Sequence, residues 1–295
     1  MKKLVFAAAL SVLISSCLRM DDFLFGNEKL DKYSLDGYTG SKELPDLPVA
    51  YNIPDSMYSL FTLESNSSEG SAKIYAVYIG KPERIATDTV ILYCHGNADH
   101  MDRYWNRAKI LANIGTKYRY GVMMFDYRGY GMSEGDPSEA NMYADADAAL
   151  KWLKSKGLTN DRFIIYGYSL GTCPATEVTA NNFTLKPFKL MLEAPFASSA
   201  AMIQGASKLA LPPSYFTNNV IDNAEEIKKV QQPFMWMHGT KDDFLSIDGH
   251  GEVVYANYNG PYKEAHRIEG AVHNDLPTIW GYAAYLSALE KFITR

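Results

Sequence analysis

The sequence predicts an α/β domain built on a mostly parallel sheet with helices on both faces. Three observations point there. From about residue 72 onward, short apolar runs alternate with longer segments of helical period. The runs are continuous, as in TVILYC at 89–94 and FKLMLE at 188–193, which is the pattern of parallel strands buried on both faces. The segment Gly167-Tyr168-Ser169-Leu170-Gly171 reads as strand, sharp turn, helix. Composition agrees: 47% hydrophobic and 21% charged residues in 295 can build a core, which excludes disorder for most of the chain.

The chain opens on MKKLVFAAALSVLISSC, with Lys2 and Lys3 ahead of an apolar run from Leu4 to Ile14. As a helix that run covers about 16 Å, too short for a hydrocarbon core of about 30 Å. Residues 1–16 therefore read as a signal peptide. Leu13-Ile14-Ser15-Ser16-Cys17 resembles the lipobox of bacterial lipoproteins. The resemblance implies cleavage before Cys17, lipidation of that cysteine, export, and a membrane-anchored protein facing the periplasm or the cell surface. Several acyl chains would make the anchor lasting. A signal peptide with an incidental cysteine is the alternative.

Residues 17–71 show no clear period and hold Asp, Asn, Gly, Ser and Pro clusters, including Pro45, Pro48 and Pro54. They read as a tether and an irregular lead-in, with Tyr33, Tyr38, Tyr51 and Tyr58 packing some of it on the domain. The domain itself is expected over 72–295. Strands are expected at 72–79, 89–94, 121–126, 162–167, 188–193, 233–237 and 263–268. Helices are expected at 99–114, 138–156, 170–181, 197–209, 248–257 and 277–293. Ser138 can cap the second helix and Gly157 end it; Pro277 suits the start of the last. Right-handed crossovers between such elements place ligands at the carboxyl ends of the strands.

Ser169 sits at the sharp turn, where a hydroxyl would point out over the sheet. A second Gly-x-Ser-x-Gly, Gly131 to Gly135, runs into Asp136-Pro137 with no helix after it, so Ser133 reads as a loop residue. A serine hydroxyl needs a base. Of six histidines, His273 lies in a loop between the last strand and the last helix, at the edge where Ser169 is expected. His266 falls inside a strand, His100 and His250 in helices, and His95 and His238 precede glycines at strand ends and read as turn residues. The base needs an anion to fix its tautomer. Asp242 is preferred, with Asp243 and Glu193 as alternatives.

Taken together, YCHGNAD at 93–99, FDYRGYGMSEG at 125–135, GYSLG at 167–171, HGTKD at 238–242 and GAVHND at 270–275 resemble the α/β-hydrolase superfamily. They look most like small, cap-poor members related to serine aminopeptidase-type hydrolases and protein depalmitoylases. The resemblance implies the chain order Ser169, Asp242, His273 for a catalytic triad. It also implies an oxyanion hole from the backbone N–H groups of Leu170 and Asn97. Asp126 and Arg128 would brace the neighbouring loop. Specificity in such folds comes from the insertion after the sixth strand, here 196–231, a minimal cap made partly apolar by Phe196, Met202, Ile203, Leu209, Leu211, Tyr215 and Phe216. Phe196, Phe244 and Val272 are the candidate pocket residues.

The expected activity is hydrolysis of acyl esters or thioesters through an acyl-enzyme, on a small-molecule or acylated substrate, without metal or cofactor. An aminopeptidase-like hydrolase and a catalytically silent, membrane-tethered binding protein are the rivals. A net charge of −5 and the lack of a basic stripe argue against a nucleic-acid partner. Three cysteines, Cys17, Cys94 and Cys173, make no disulfide scaffold and no paired zinc motif.

Overall fold

The apolar runs form the centre of an eight-stranded sheet in the computed structural model, which describes residues 24–207 and 219–295. Residues 1–16, Cys17 and the cap residues Leu209, Leu211, Tyr215 and Phe216 lie outside the described residues. The strands are Tyr58–Ser67 (β1), Gly70–Ile79 (β2), Val90–Cys94 (β3), Gly121–Phe125 (β4), Phe163–Tyr168 (β5), Lys189–Glu193 (β6), Phe234–Gly239 (β7) and Lys263–Ile268 (β8). Their order across the sheet is β1-β2-β4-β3-β5-β6-β7-β8. β2 runs antiparallel to β1 and β4, and the remaining pairings are parallel.

Helices Met101–Leu111 (α1), Glu139–Ser155 (α2), Thr172–Ala180 (α3), Ser199–Ser207 (α4), Asn223–Glu226 (α5), Gly251–Asn257 (α6), Leu276–Trp280 (α7) and Tyr282–Thr294 (α8) fill the connections. Ser138 caps α2, its hydroxyl accepting from the Asn141 N–H at 3.1 Å. Period-two alternation splits the core into two layers. Leu92, Ile165, Leu192 and Trp236 face α2, α3 and α6, whereas Ile91, Tyr166, Met191 and Met237 face α1 and α8. Among the described residues no helix is long and apolar enough to cross a membrane.

The structure differs from expectation at three places. First, the sheet begins at Tyr58, ahead of the boundary expected at 72. β1 is an edge strand with only Leu63 and Ser65 buried, so it lacks the apolar run that marks the others. Phe61 stacks on Trp152 of α2 at 4.4 Å, and Gly70, with φ +118°, turns the β1–β2 hairpin. Second, residues 24–57 pack on the domain more fully than the expected tyrosine contacts, which are present (Tyr38 on His100, Tyr51 on Tyr282, Tyr58 on Trp105), because polar contacts that leave no period add to them. The Asp102 carboxylate accepts from the Ser34 and Leu35 N–H groups, both at 2.8 Å, and Asn106 donates to the Leu44 and Pro45 carbonyls. Leu35, Leu44 and Ile53 are buried beneath. Third, the helix expected over 277–293 breaks at Gly281, which adopts φ +82°.

One buried ion cluster joins these layers. Arg107 of α1 is fully buried and holds Glu193 at the end of β6 with 2.7 and 2.8 Å contacts. Its other edge holds Glu43 of the lead-in at 2.5 and 3.2 Å. Tyr166 and Tyr285 donate to Glu193 as well. Glu193, an alternative acid in the sequence, is thus committed to Arg107. Replacing Arg107 by Met would strand two buried carboxylates. Urea unfolding of that variant should show a loss of about 3–5 kcal/mol, the range for breaking a buried ion pair from one side.

Candidate active site

β5 ends at Tyr168, and the chain turns through a single 3-10 turn, Ser169–Gly171, into α3. Ser169 takes φ +52°, a left-handed conformation that costs a non-glycine residue about 1–2 kcal/mol. Two glycines make the turn possible. A Cβ on Gly171 would lie 2.0 Å from the Cys94 carbonyl oxygen, and one on Gly167 2.5 Å from the Gly171 carbonyl oxygen. The Thr172 hydroxyl donates to the Ser169 carbonyl at 2.6 Å and closes the turn. The first N–H groups of the following helix have no intrahelical acceptor, so this end of α3 favours negative charge.

His273 reaches the serine from the loop between β8 and α7. Its Nε2 lies 2.9 Å from Ser169 Oγ and its Nδ1 2.8 Å from Asp242 Oδ2. Asp242 follows β7, and its Oδ1 accepts from the Phe244 and Leu245 N–H groups at 3.0 and 2.8 Å. Burial alone would raise the Asp242 carboxyl, but hydrogen bonds from His238 and His273 hold it well below its ordinary range. An ionised carboxylate requires the Nδ1–H tautomer of His273. Nε2 then accepts from the serine hydroxyl. Asp243, the other candidate acid, is exposed at the cleft wall.

Tyr168 joins this loop to the core. Its hydroxyl donates to Asn274 Oδ1 at 2.7 Å and to the His273 carbonyl at 3.2 Å, while its ring lies 4.1 Å from the Arg107 guanidinium. Asn97 sits in the loop after β3. Its Oδ1 accepts from the Gly26 N–H at 2.5 Å and the Tyr130 hydroxyl at 3.1 Å. Asp126 accepts from Tyr33 at 2.6 Å and from the Met101 N–H at 2.8 Å, and Arg128 bonds Asp145 and Asn141. Both therefore brace loops beside the site. Ser133 bonds Tyr75 and the Asp126 carbonyl inside a turn.

A cleft of about 310 Å³ opens on Ser169 and His273, lined by Glu43, Asn97, Arg103, Tyr104, Asp243, Phe244, Val272 and Asn274 among others. A crevice of about 10 Å³ adjoins it between Leu24, Asn97, Ser169, Leu170, Phe196, Met202, Phe244 and Leu245. All three pocket residues singled out in the sequence border one or the other: Phe196 is buried in the crevice wall, Val272 is an exposed part of the cleft lining, and Phe244 lines both. Sequence reasoning missed Glu43, Tyr168 and His238. Glu43 and Tyr168 carry no local signal, but His238 stands four residues before Asp242 and could have been weighed as its partner. Cys94 and Cys173 are buried, and burial pushes both thiols up. Among the described residues no group of three or more His, Cys, Asp or Glu is arranged to hold a metal ion.

Comparison with known proteins places the fold. The family model described as serine aminopeptidase, S33, matches residues 86–213. Alpha/beta hydrolase domain-containing protein 17B of Xenopus tropicalis is 31% identical over 208 residues, 70% of this chain and 66% of that protein. The 17C protein of Mus musculus is 30% identical over 208 residues, covering 59% of its length. The chain thus spans just under two thirds of the curated relatives it matches. Among solved structures, the Pyrococcus furiosus esterase Pf2001 superposes with a TM-score of 0.63 at 18% identity, over 88% of this chain and 99% of that one. The Rhodococcus esterase RhEst1 gives 0.59 at 18% identity, over 79% and 98%. At such identities the likeness is one of fold.

The Asp242 carboxyl sets an acid limit on stability. Because its folded pKa lies below its unfolded one, the unfolded chain takes up the proton first as pH falls. The stabilisation is complete above about pH 5 and drains away below about pH 4, and amounts to about 2 kcal/mol for a carboxylate held this way. Urea melts from pH 6 to pH 3 should show a shallower acid loss for Asp242→Asn than for the parent chain.

Proposed function

This chain belongs to the α/β-hydrolase superfamily, and on that footing we propose that it is a serine hydrolase acting on acyl esters or thioesters. The observation that carries the reading is the unbroken chain Asp242–His273–Ser169, with both contacts below 3.0 Å. In this reading the Ser169 hydroxyl passes its proton to His273 Nε2 as Oγ attacks the acyl carbonyl. Asp242 stabilises the imidazolium that forms. The Leu170 and Asn97 N–H groups receive the developing oxyanion, a contribution worth about 10²–10³ in rate per donor. His273 then protonates the leaving group, which departs. Water, deprotonated by the same nitrogen, clears the acyl-enzyme and restores the serine.

The cavity walls support a substrate of two parts. The cleft of about 310 Å³, with Phe244 and Val272 among its lining, has room for a short acyl group beside a leaving group, whereas the adjoining crevice of about 10 Å³ has room for about one water. A substrate amine would look for a free carboxylate pair; of the two carboxylates lining the cleft, Glu43 is held by Arg107 and only Asp243 is exposed, which favours esters and thioesters over amino-terminal peptides. The basic, apolar and Leu13–Cys17 features of the N-terminus support export and lipidation at Cys17, with the hydrolase held at a membrane.

Two measurements test this. A panel of p-nitrophenyl esters should be cleaved fastest at two to six acyl carbons, and Ser169→Ala should lose about 10³–10⁶-fold in kcat/KM. Full activity in that variant would refute the mechanism. Mass spectrometry of the mature protein from its native host should show an acylated Cys17 at the N-terminus; an unmodified cysteine there would refute the anchor.

A further inference from the structure

His238 is the second-last residue of β7, and its ring is wholly buried. Its Nε2 lies 3.0 Å from Asp242 Oδ2 and 2.9 Å from the Leu245 carbonyl oxygen. Both neighbours are acceptors, so Nε2 must carry the proton. Nδ1 is buried and meets no hydrogen-bond partner among the described residues. The backbone of Gly251 closes over it: a Cβ there would lie 2.2 Å from Nδ1 and 2.6 Å from the Trp236 ring. A proton on Nδ1 would be a buried donor with no acceptor, which costs far more than an idle lone pair. The ring is therefore held neutral while it donates.

Asp242 Oδ2 is thus shared by two imidazoles, at 2.8 Å from His273 and 3.0 Å from His238, while Oδ1 is taken by two backbone N–H groups. Four donors meet the four lone-pair sites of one carboxylate. The other groups around His238 do not compete for this role. His250, at the start of α6, is lowered to about 4, chiefly by burial, and its Nδ1 accepts from the Ala197 N–H. Arg267, the register partner of His238 on β8, is paired with Glu252 at 2.5 and 2.7 Å.

We propose that His238 is a positioning residue for the triad, a neutral second imidazole that fixes Oδ2 and limits how strongly Asp242 raises the basicity of His273. This rests on the triad reading above. Removing the His238 donor concentrates the carboxylate charge on the bond to His273, which stabilises the imidazolium. The catalytic base would then titrate at higher pH and be lost to protonation sooner as pH falls.

The test is the pH profile of kcat/KM on a short acyl ester. His238→Leu should move the acid limb up by about 0.5–1 pH unit. His238→Gln, whose amide N–H falls near the position of Nε2, should move it back toward the parent value. An unshifted acid limb in a folded His238→Leu, or a glutamine variant shifted as far as the leucine one, overturns the proposal. If the leucine variant does not fold, ¹⁵N-histidine NMR of the parent protein decides, with His238→Gln assigning the resonance. A neutral Nε2–H ring from pH 5 to 9 supports the proposal; an Nδ1–H tautomer or protonation in that range overturns it. The NMR readout is independent of turnover, so it stands apart from the Ser169→Ala result that tests the triad itself.

Discussion

The left-handed backbone at Ser169 is the constraint on which the rest of the site depends. It is an unfavourable conformation, and the chain keeps it because the start of α3 lies directly on the end of β3. That contact needs a glycine at 171, where any side chain would strike the Cys94 carbonyl. The same contact sets the serine beside the loop that leaves β3, so Ser169 and the Asn97 loop are positioned by one piece of backbone packing. Strain of this kind persists only where the surroundings over-determine it. Here the Thr172 hydroxyl, bonded to the Ser169 carbonyl, and the close approach of Gly171 to the Cys94 carbonyl do so.

Buried polar contacts then connect this turn to the rest of the molecule. Tyr168, directly before the serine, holds the His273–Asn274 loop with its hydroxyl and rests its ring on Arg107. Arg107 in turn binds Glu43 of the lead-in and Glu193 of the sheet. The lead-in therefore belongs to the architecture of the site, and the cluster carries one negative charge in excess when all three groups are ionised.

Much of this was legible in the sequence, for physical reasons. Strands buried on both faces must be apolar throughout, so β3, β5 and β6 announce themselves as short runs. A sharp strand-to-helix turn of this kind needs glycines two positions before and after its serine, here Gly167 and Gly171, and the loops carrying Asp242 and His273 follow strands whose carboxyl ends share one edge of the sheet. What escaped the reading was structure held by polar groups. β1 is half exposed, so its burial pattern is weak. The lead-in is bound through Asp102 and Asn106, which leave no hydrophobic period. Glu43 and Arg107 lie 64 positions apart, and nothing local marks them as partners. His238 looked like a turn residue because it precedes a glycine at a strand end; only the folded loop brings its ring against Asp242.

The measurement that bears most directly on the account is the site of covalent labelling by a fluorophosphonate, read by intact mass and peptide mapping. The account requires a single adduct, on Ser169. No adduct on the folded protein, or an adduct on a different residue, would contradict it.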